Sequence, residues 1–197
     1  KGHIGKPLDL ESEFDWVNRE REFFSGNIVA CPVSFHDDRI WNVVSVYSPA
    51  WPVNPDRLVG IDVSSVKLVH NPDVWCTEIL WSVLKNTIPK LHGRWLVGGD
   101  FNSSETFDYM WGPKPRGNKE VRERLETLGL KECLRYHAGE LVPTFRNPAN
   151  KKVVHQLDHL YVSNEMITDL LACHVGDSKE VFGNSLSDHL PIVCCFK

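Results

Sequence analysis

The chain has 197 residues, with 22 Lys and Arg against 26 Asp and Glu, for a formal net charge of −4. Hydrophobic residues make up 42% and charged residues 24%, ordinary proportions for one globular domain with a sizeable core, which exclude a disordered, collagen-like or coiled-coil chain. The mild acidity weighs against gripping nucleic acid over a broad basic face, though not against an enzyme that touches a few phosphates. No apolar run reaches about 18 residues, so no membrane span is predicted.

The first residues, Lys1-Gly2-His3-Ile4-Gly5-Lys6, lack the apolar stretch of a signal peptide, and the sequence does not open with Met. A cytoplasmic protein with an upstream segment cut away is expected. None of the six cysteines lies in a CxxC pair, and they are expected to be reduced core thiols. Cys194 and Cys195 are adjacent in a predicted strand and should point to opposite faces.

Glu11, Glu13, Glu20 and Glu22 sit in a polar, helix-like stretch expected to be solvated. Residues 27–35 (NIVACPVSF) and 40–47 (IWNVVSVY) are rich in β-branched and aromatic residues and predict a hairpin across His36-Asp37-Asp38-Arg39. Pro49, Pro52 and Pro55 make 48–56 a loop leaving a strand end. Asn71-Pro72-Asp73 supplies a cap, a first-turn proline and a dipole-matched acid, predicting a helix from there to about 87. Its apolar face is Trp75, Ile79 and Val83 beside Leu80, Leu84 and Ile88. A buried strand at 95–99 then delivers Asp100-Phe101-Asn102. A helix at 118–128 stops at Gly129, and a strand at 157–162, a short helix at 164–171 and a last strand at 190–196 follow. This alternation, without internal repeats, predicts an α/β or α+β single domain.

Three polar clusters lie beside apolar strands: Gly98-Gly99-Asp100-Phe101-Asn102, Gln156-Leu157-Asp158-His159 and Ser187-Asp188-His189-Leu190-Pro191. Each alone also reads as a turn. Carboxylates next to apolar runs are costly unless paired, metal-bound or hydrogen-bonded, and three such clusters point to one shared site.

Together and in this order the clusters resemble the endonuclease/exonuclease/phosphatase superfamily, the deoxyribonuclease I-like proteins, and look most like its little-characterised bacterial members. The matching residues are Tyr47 in Val46-Tyr47-Ser48-Pro49, Asp100 and Asn102, Thr144-Phe145, Asp158 in Leu157-Asp158-His159-Leu160-Tyr161, and Asp188-His189. The match runs from about residue 26 to the C-terminus. It implies an α/β fold of two packed β-sheets flanked by helices in four layers, and a divalent-metal-dependent phosphoester hydrolase. On that resemblance Asp100 orients or deprotonates the attacking water, Asn102 and Tyr47 hold the phosphate, and His189 paired with Asp158 offers an imidazolium. His155 adds a substrate contact, and Asp188 helps hold magnesium or manganese.

The family's N-terminal strands carry an Asn and a Gln-Glu pair whose Glu is a principal metal ligand. No Gln-Glu pair occurs here. The expectation is a single domain over residues 1–197 that lacks this segment and its N-terminal strands. Metal binding and activity should then be weakened, and sheet edges or apolar faces exposed unless residues 1–25 or another chain cover them.

Tyr47 in a Tyr-x-Pro context resembles the nucleic-acid-cleaving branches. Lys114, Arg116 and Lys119, and the Lys151-Lys152 pair, are candidate phosphate contacts, and Trp51 and Trp111 candidate stacking platforms. Each also reads as an ordinary loop residue. The expected substrate is nucleic acid. A small phosphorylated molecule or lipid is the alternative, and a non-catalytic binding module a further one.

Overall fold

A computed structural model describes residues 2–37, 39–110 and 112–197. The expected hairpin forms from β2 (Ile28–Phe35) and β3 (Ile40–Tyr47), antiparallel, with Val33 opposite Trp41. Asp38 of its turn lies outside the described residues. Ahead of it, β1 (Gly2–Ile4) pairs with the free edge of β2, and Leu8 donates its N–H to the Ala30 carbonyl at 2.8 Å. Residues from the first 25 thus cover that edge, one of the two ways the exposed edge was expected to be closed.

Helix α1 (Asp15–Phe23) departs from the solvated expectation. Trp16 and Val17 are buried in the core, and so is Glu20, whose carboxylate receives Arg57 at 3.1, 3.0 and 2.7 Å. A buried carboxylate is tolerable once a guanidinium satisfies it, and its partner lies 37 residues away, beyond the reach of local pattern.

After the proline-rich loop, α2 (Cys76–Thr87) begins later than the Asn-Pro-Asp signal predicts. Asn71 spends its side-chain oxygen on the Asp73 N–H at 3.1 Å and the Trp75 indole at 3.3 Å, an irregular turn in place of a first helical turn. Glu78 caps the real start by accepting the Trp75 N–H at 3.1 Å. Crossing over through α2, the chain enters β4 (Arg94–Asp100), parallel to β3. Helix α3 (Asn118–Thr127), β5 (Leu130–Glu132) and α4 (Cys133–Ala138) follow.

A small hairpin of β6 (Phe145–Arg146) and β7 (Val153–His155) precedes β8 (Asp158–Ser163), which pairs antiparallel with β4. Then come α5 (Asn164–Ile167), β9 (Leu170–Val175), α6 (Ser178–Val181) and β10 (Ile192–Phe196). The predicted helix over 164–171 is thus shorter, because Leu170 and Leu171 are taken into the antiparallel β9–β10 ribbon.

The main sheet has six strands in the order β1-β2-β3-β4-β8-β5, with two two-stranded sheets beside it. One core cluster joins Val44, Val46, Trp95 and Val97 of the sheet to Ile79, Leu80 and Val83 of α2 and to Val17, Val121 and Leu125 of α1 and α3. A second joins Cys133, Leu134, Met166 and Cys173 to Leu96, Leu160, Ile192 and Phe196, the side on which the β9–β10 ribbon packs. The result is a mixed α/β architecture with a central sheet, smaller sheets and flanking helices. Cys76, Cys133 and Cys173 are core thiols, Cys31 and Cys194 are half-buried, and Cys195 is exposed. No helix among the described residues is long and apolar enough to cross a membrane.

Candidate active site

Strand pairing assembles the site. The parallel register sets Tyr47 beside Asp100, and the antiparallel register sets Asp100 opposite Asp158, so three predicted residues stand in one row at the same end of three strands. Gly99 makes the close approach possible. A Cβ there would lie 1.9 Å from the Val46 carbonyl oxygen, and its φ of 143° is one that side chains resist. Beyond the strand, Asn102 turns into the left-handed region at φ 45°, which Asn tolerates. Its amide donates to the Ser48 carbonyl at 2.7 Å and to Asp100 Oδ2 at 3.0 Å, while its backbone N–H meets Asp100 Oδ1 at 2.9 Å. Both carboxylate oxygens of Asp100 are therefore fixed by one residue.

His189 arrives from the segment between α6 and β10, bridged to Phe145. Its Nδ1 lies 2.8 Å from Asp158 Oδ2, and its ring packs on Phe145 at 4.9 Å between centroids. The segment carrying it is tied to β6 by Arg146 N–H to the Asp188 carbonyl and Leu190 N–H to the Thr144 carbonyl, both at 2.8 Å. Thr144 is wholly buried, and its hydroxyl accepts the N–H groups of Leu157 and Asp158, each at 3.1 Å. One threonine thus sets the backbone from which Asp158 projects and holds the strand beside His189.

Asp100, Asp158 and His189 each offer a ligand atom, and these atoms lie within 4.8 Å of one another. Burial, followed by the charge of Asp158, raises the Asp100 pKa against the hydrogen bond from Asn102 and the influence of His189. The hydrogen bond to Asp158 raises His189 despite partial burial, favouring the imidazolium. The two carboxylates, Asp100 and Asp158, converge in a half-buried cleft and offer oxygen donors that fit a divalent cation, while the protonated imidazole of His189 stands beside them without coordinating. Asp188 is exposed and stands outside this trio, though its charge also favours the imidazolium of His189.

The other candidates divide. Tyr47 is 50% exposed at the mouth. His155 is buried instead, with Nδ1 at 2.8 Å from the Thr106 hydroxyl and its ring on Phe107, and burial lowers its pKa. It pairs with Phe145 across the small hairpin and is not one of the trio. Lys114, Lys151, Lys152 and Trp51 are exposed, Lys119 pairs with Glu123 at 3.3 Å, and Trp111 lies outside the described residues. Arg116 is half-buried on the wall of a pocket of about 350 Å³ that opens beside Asn102.

The support beneath the site is not legible in the residue pattern. His159, read with the catalytic clusters, is buried. It lies between Gln156 Nε2 at 3.2 Å and the Ser103 carbonyl at 3.0 Å, while Gln156 also donates to Glu132 at 3.1 Å. This chain of polar contacts ends one residue from Asn102. The available signal was a Gln and a His flanking Leu157-Asp158 beside an apolar strand.

No protein-family model matches the chain, and no curated protein matches it. Solved structures do share its fold. The 3′ phosphatase NExo from Neisseria, bound to a product DNA hairpin, matches with a TM-score of 0.62 at 18% identity, over 98% of this chain and 72% of that one. An AP endonuclease from Archaeoglobus fulgidus matches with a TM-score of 0.63 at 16% identity, again over 98% of this chain and 72% of that one. An endonuclease/exonuclease/phosphatase family protein from Leptotrichia buccalis matches with a TM-score of 0.51 at 15% identity, over 86% of this chain and 52% of that one. The chain has the deoxyribonuclease I-like fold of the endonuclease/exonuclease/phosphatase structures, as its motifs led us to expect.

Proposed function

We propose that the chain is a phosphoester hydrolase of nuclease type, acting on the phosphodiester bonds of nucleic acid. The observation that carries this reading is the convergence of Asp100, Asp158 and His189 within 4.8 Å at one end of the main sheet. Hydrolysis needs a positioned water, charge stabilisation on the phosphoryl oxygens and an in-line path to the leaving oxygen. Asp100, raised in pKa and fixed by Asn102, orients the water and takes its proton as the new P–O bond forms. His189, held protonated by Asp158, faces the charge that develops as the ester P–O bond breaks. Asn102 and the Tyr47 hydroxyl hold the phosphate. Asp100 and Asp158, with Asp188 nearby, would hold magnesium or manganese, which when bound supplies Lewis-acid stabilisation of phosphoryl oxygens.

Fold-mates add support, since the Neisseria enzyme is described with product DNA and the Archaeoglobus enzyme as an AP endonuclease. A small phosphorylated molecule is the second reading, favoured by the pocket of about 350 Å³ beside Asn102. The deciding experiment is cleavage of plasmid DNA and of bis-p-nitrophenyl phosphate with added magnesium or manganese. Turnover of both that disappears in Asp100→Ala supports the reading. Cleavage that survives Asp100→Ala, or indifference to every polynucleotide, overturns it.

A further inference from the structure

Three thiols meet where the β9–β10 ribbon packs on the main sheet. Cys133, at the start of α4, and Cys173 are buried in the second core cluster, and Cys194 packs against it. Cys173 and Cys194 stand directly opposite one another in the antiparallel register. Their chain neighbours His174, Val193 and Cys195 are exposed, so alternation along the ribbon turns Cys173 and Cys194 to the same inward face. Their Sγ atoms are in hydrogen-bond contact at 2.9 Å. Opposed residues of an antiparallel pair have Cα atoms about 4.5–5.5 Å apart, inside the range of about 4.4–6.8 Å that a disulfide spans. The backbone therefore already stands where a covalent bond between the two sulfurs needs it.

Cys194 also has a route to solvent. It lines an open groove of about 340 Å³ between β10 and the main sheet, walled by Trp41, Leu96, Leu160 and Phe196. Cys173 is only 3% exposed and does not line the groove. A small reagent thus meets Cys194 first, with Cys173 waiting behind it.

We propose that Cys173 and Cys194 form a latent disulfide site, closed in the folded chain by exchange with a low-molecular-weight disulfide that enters this groove. The Cys194 thiol gives up its proton, and its sulfur attacks one sulfur of the reagent. That breaks the reagent's S–S bond, and the departing thiolate takes up a proton. The Cys173 sulfur, deprotonated in turn, attacks the Cys194 sulfur of the mixed disulfide and expels the second thiol. Two cysteine thiols are oxidised, one reagent disulfide is reduced to two thiols, and both protons are accounted for. Contact with Cys133, together with burial, pushes the Cys194 pKa up to about 12 against the contact with Cys173, and contact with Cys194 followed by burial raises that of Cys173. Both thiols are thus held protonated, and the exchange runs over hours.

The bond would close a loop of 21 positions that contains α6, Asp188 and His189. Gly176 already donates its N–H to the Pro191 carbonyl at 2.8 Å. A covalent link between β9 and β10 fastens the segment carrying His189 where it enters β10. The inference stands on the ribbon alone and does not depend on the nuclease reading.

The test incubates the full chain with oxidised glutathione at neutral pH, alkylates the remaining thiols, and maps the digested chain by mass spectrometry. A peptide linking Cys173 to Cys194 is expected, with Cys76 and Cys133 alkylated. The midpoint of thermal unfolding should rise by about 5–15 °C, as expected for closing a loop of this size, and return to its starting value with dithiothreitol. Cys194→Ser should remove both effects. Cys195→Ser, at the exposed neighbour, should leave both unchanged.

A lasting glutathione adduct on Cys194, a link from Cys194 to Cys133, or a Cys173–Cys194 link that forms only in urea overturns the proposal. So does a link that fails to raise the midpoint, because the bond would then not fit the folded ribbon. If Cys194→Ser does not fold, the linked peptide and the melting of the unmodified chain still decide.

Discussion

Asp158 holds His189 through a 2.8 Å hydrogen bond between Oδ2 and Nδ1, although the two are 31 residues apart, Asp158 opening β8 of the main sheet and His189 lying in the segment between α6 and β10. Asp158→Asn leaves the imidazole without its charged partner while keeping the shape of the side chain. For the proposed hydrolysis we expect kcat to fall about 10²- to 10⁴-fold with little change in KM. Steady-state kinetics on bis-p-nitrophenyl phosphate measures this, and an unchanged kcat would remove the pair from the chemistry.

Thr144 makes a separate, structural prediction. Thr144→Val removes the acceptor for two backbone N–H groups, those of Leu157 and Asp158. A buried donor left without a partner costs about 1–3 kcal/mol. Urea denaturation should show a loss of about 2–4 kcal/mol. Thr144→Ser, which keeps the hydroxyl, should recover most of it.

At Gly99, alanine places a Cβ 1.9 Å from the Val46 carbonyl oxygen. The obstacle is backbone, so β3 and β4 must part or the chain must misfold. We expect a destabilisation above about 4 kcal/mol, read as loss of the cooperative thermal transition.

Glu78 predicts a pH dependence that does not involve the trio. Burial lifts its pKa to about 7 from 4.5, against the hydrogen bonds from Leu68, Trp75 and Thr77. A folded pKa above the unfolded one means the folded chain holds the proton more tightly. This contribution is fully present at acid pH, declines as the pH rises from about 4.5 to about 7, and is gone above that range. The corresponding loss is about 3 kcal/mol. Comparing denaturation of the wild-type chain and Glu78→Gln at pH 4 and pH 8 isolates it, because the variant has no proton to lose there. A pH-independent difference would show that Glu78 keeps an ordinary carboxyl pKa.

The strands that carry the site were readable because their signals are local: β-branched residues around a polar turn gave β2 and β3, and short apolar runs ending in Asp gave the ends of β4 and β8. The register that brings Asp100 opposite Asp158 was not readable, since it depends on pairing across 58 positions of chain. Glu20 looked solvated because its partner Arg57 comes from the proline-rich loop. The start of α2 was misplaced for a related reason. Asn71 has the chemistry of a cap, but here its side chain is committed to Asp73 and to the Trp75 indole. His155 and His159 sit beside Leu157-Asp158 in sequence, yet both are buried: alternation along β8 turns His159 inward, and the Thr106 hydroxyl and the Phe107 ring hold His155.

The pairing of β1 with β2 also bears on how the chain behaves in company. The eight-residue strand β2 is bordered by a strand of three residues, followed by Gly5, Lys6 and Pro7. A short border ending in a cation and a proline is a poor template for another chain's backbone, the way natural sheets avoid adding strands indefinitely. Removing residues 2–8 would uncover ladder positions from Ala30 to Phe35, and the chain would become prone to stacking edge on edge into aggregates. Seven residues far from the trio would then limit the concentration at which the protein can be kept in solution.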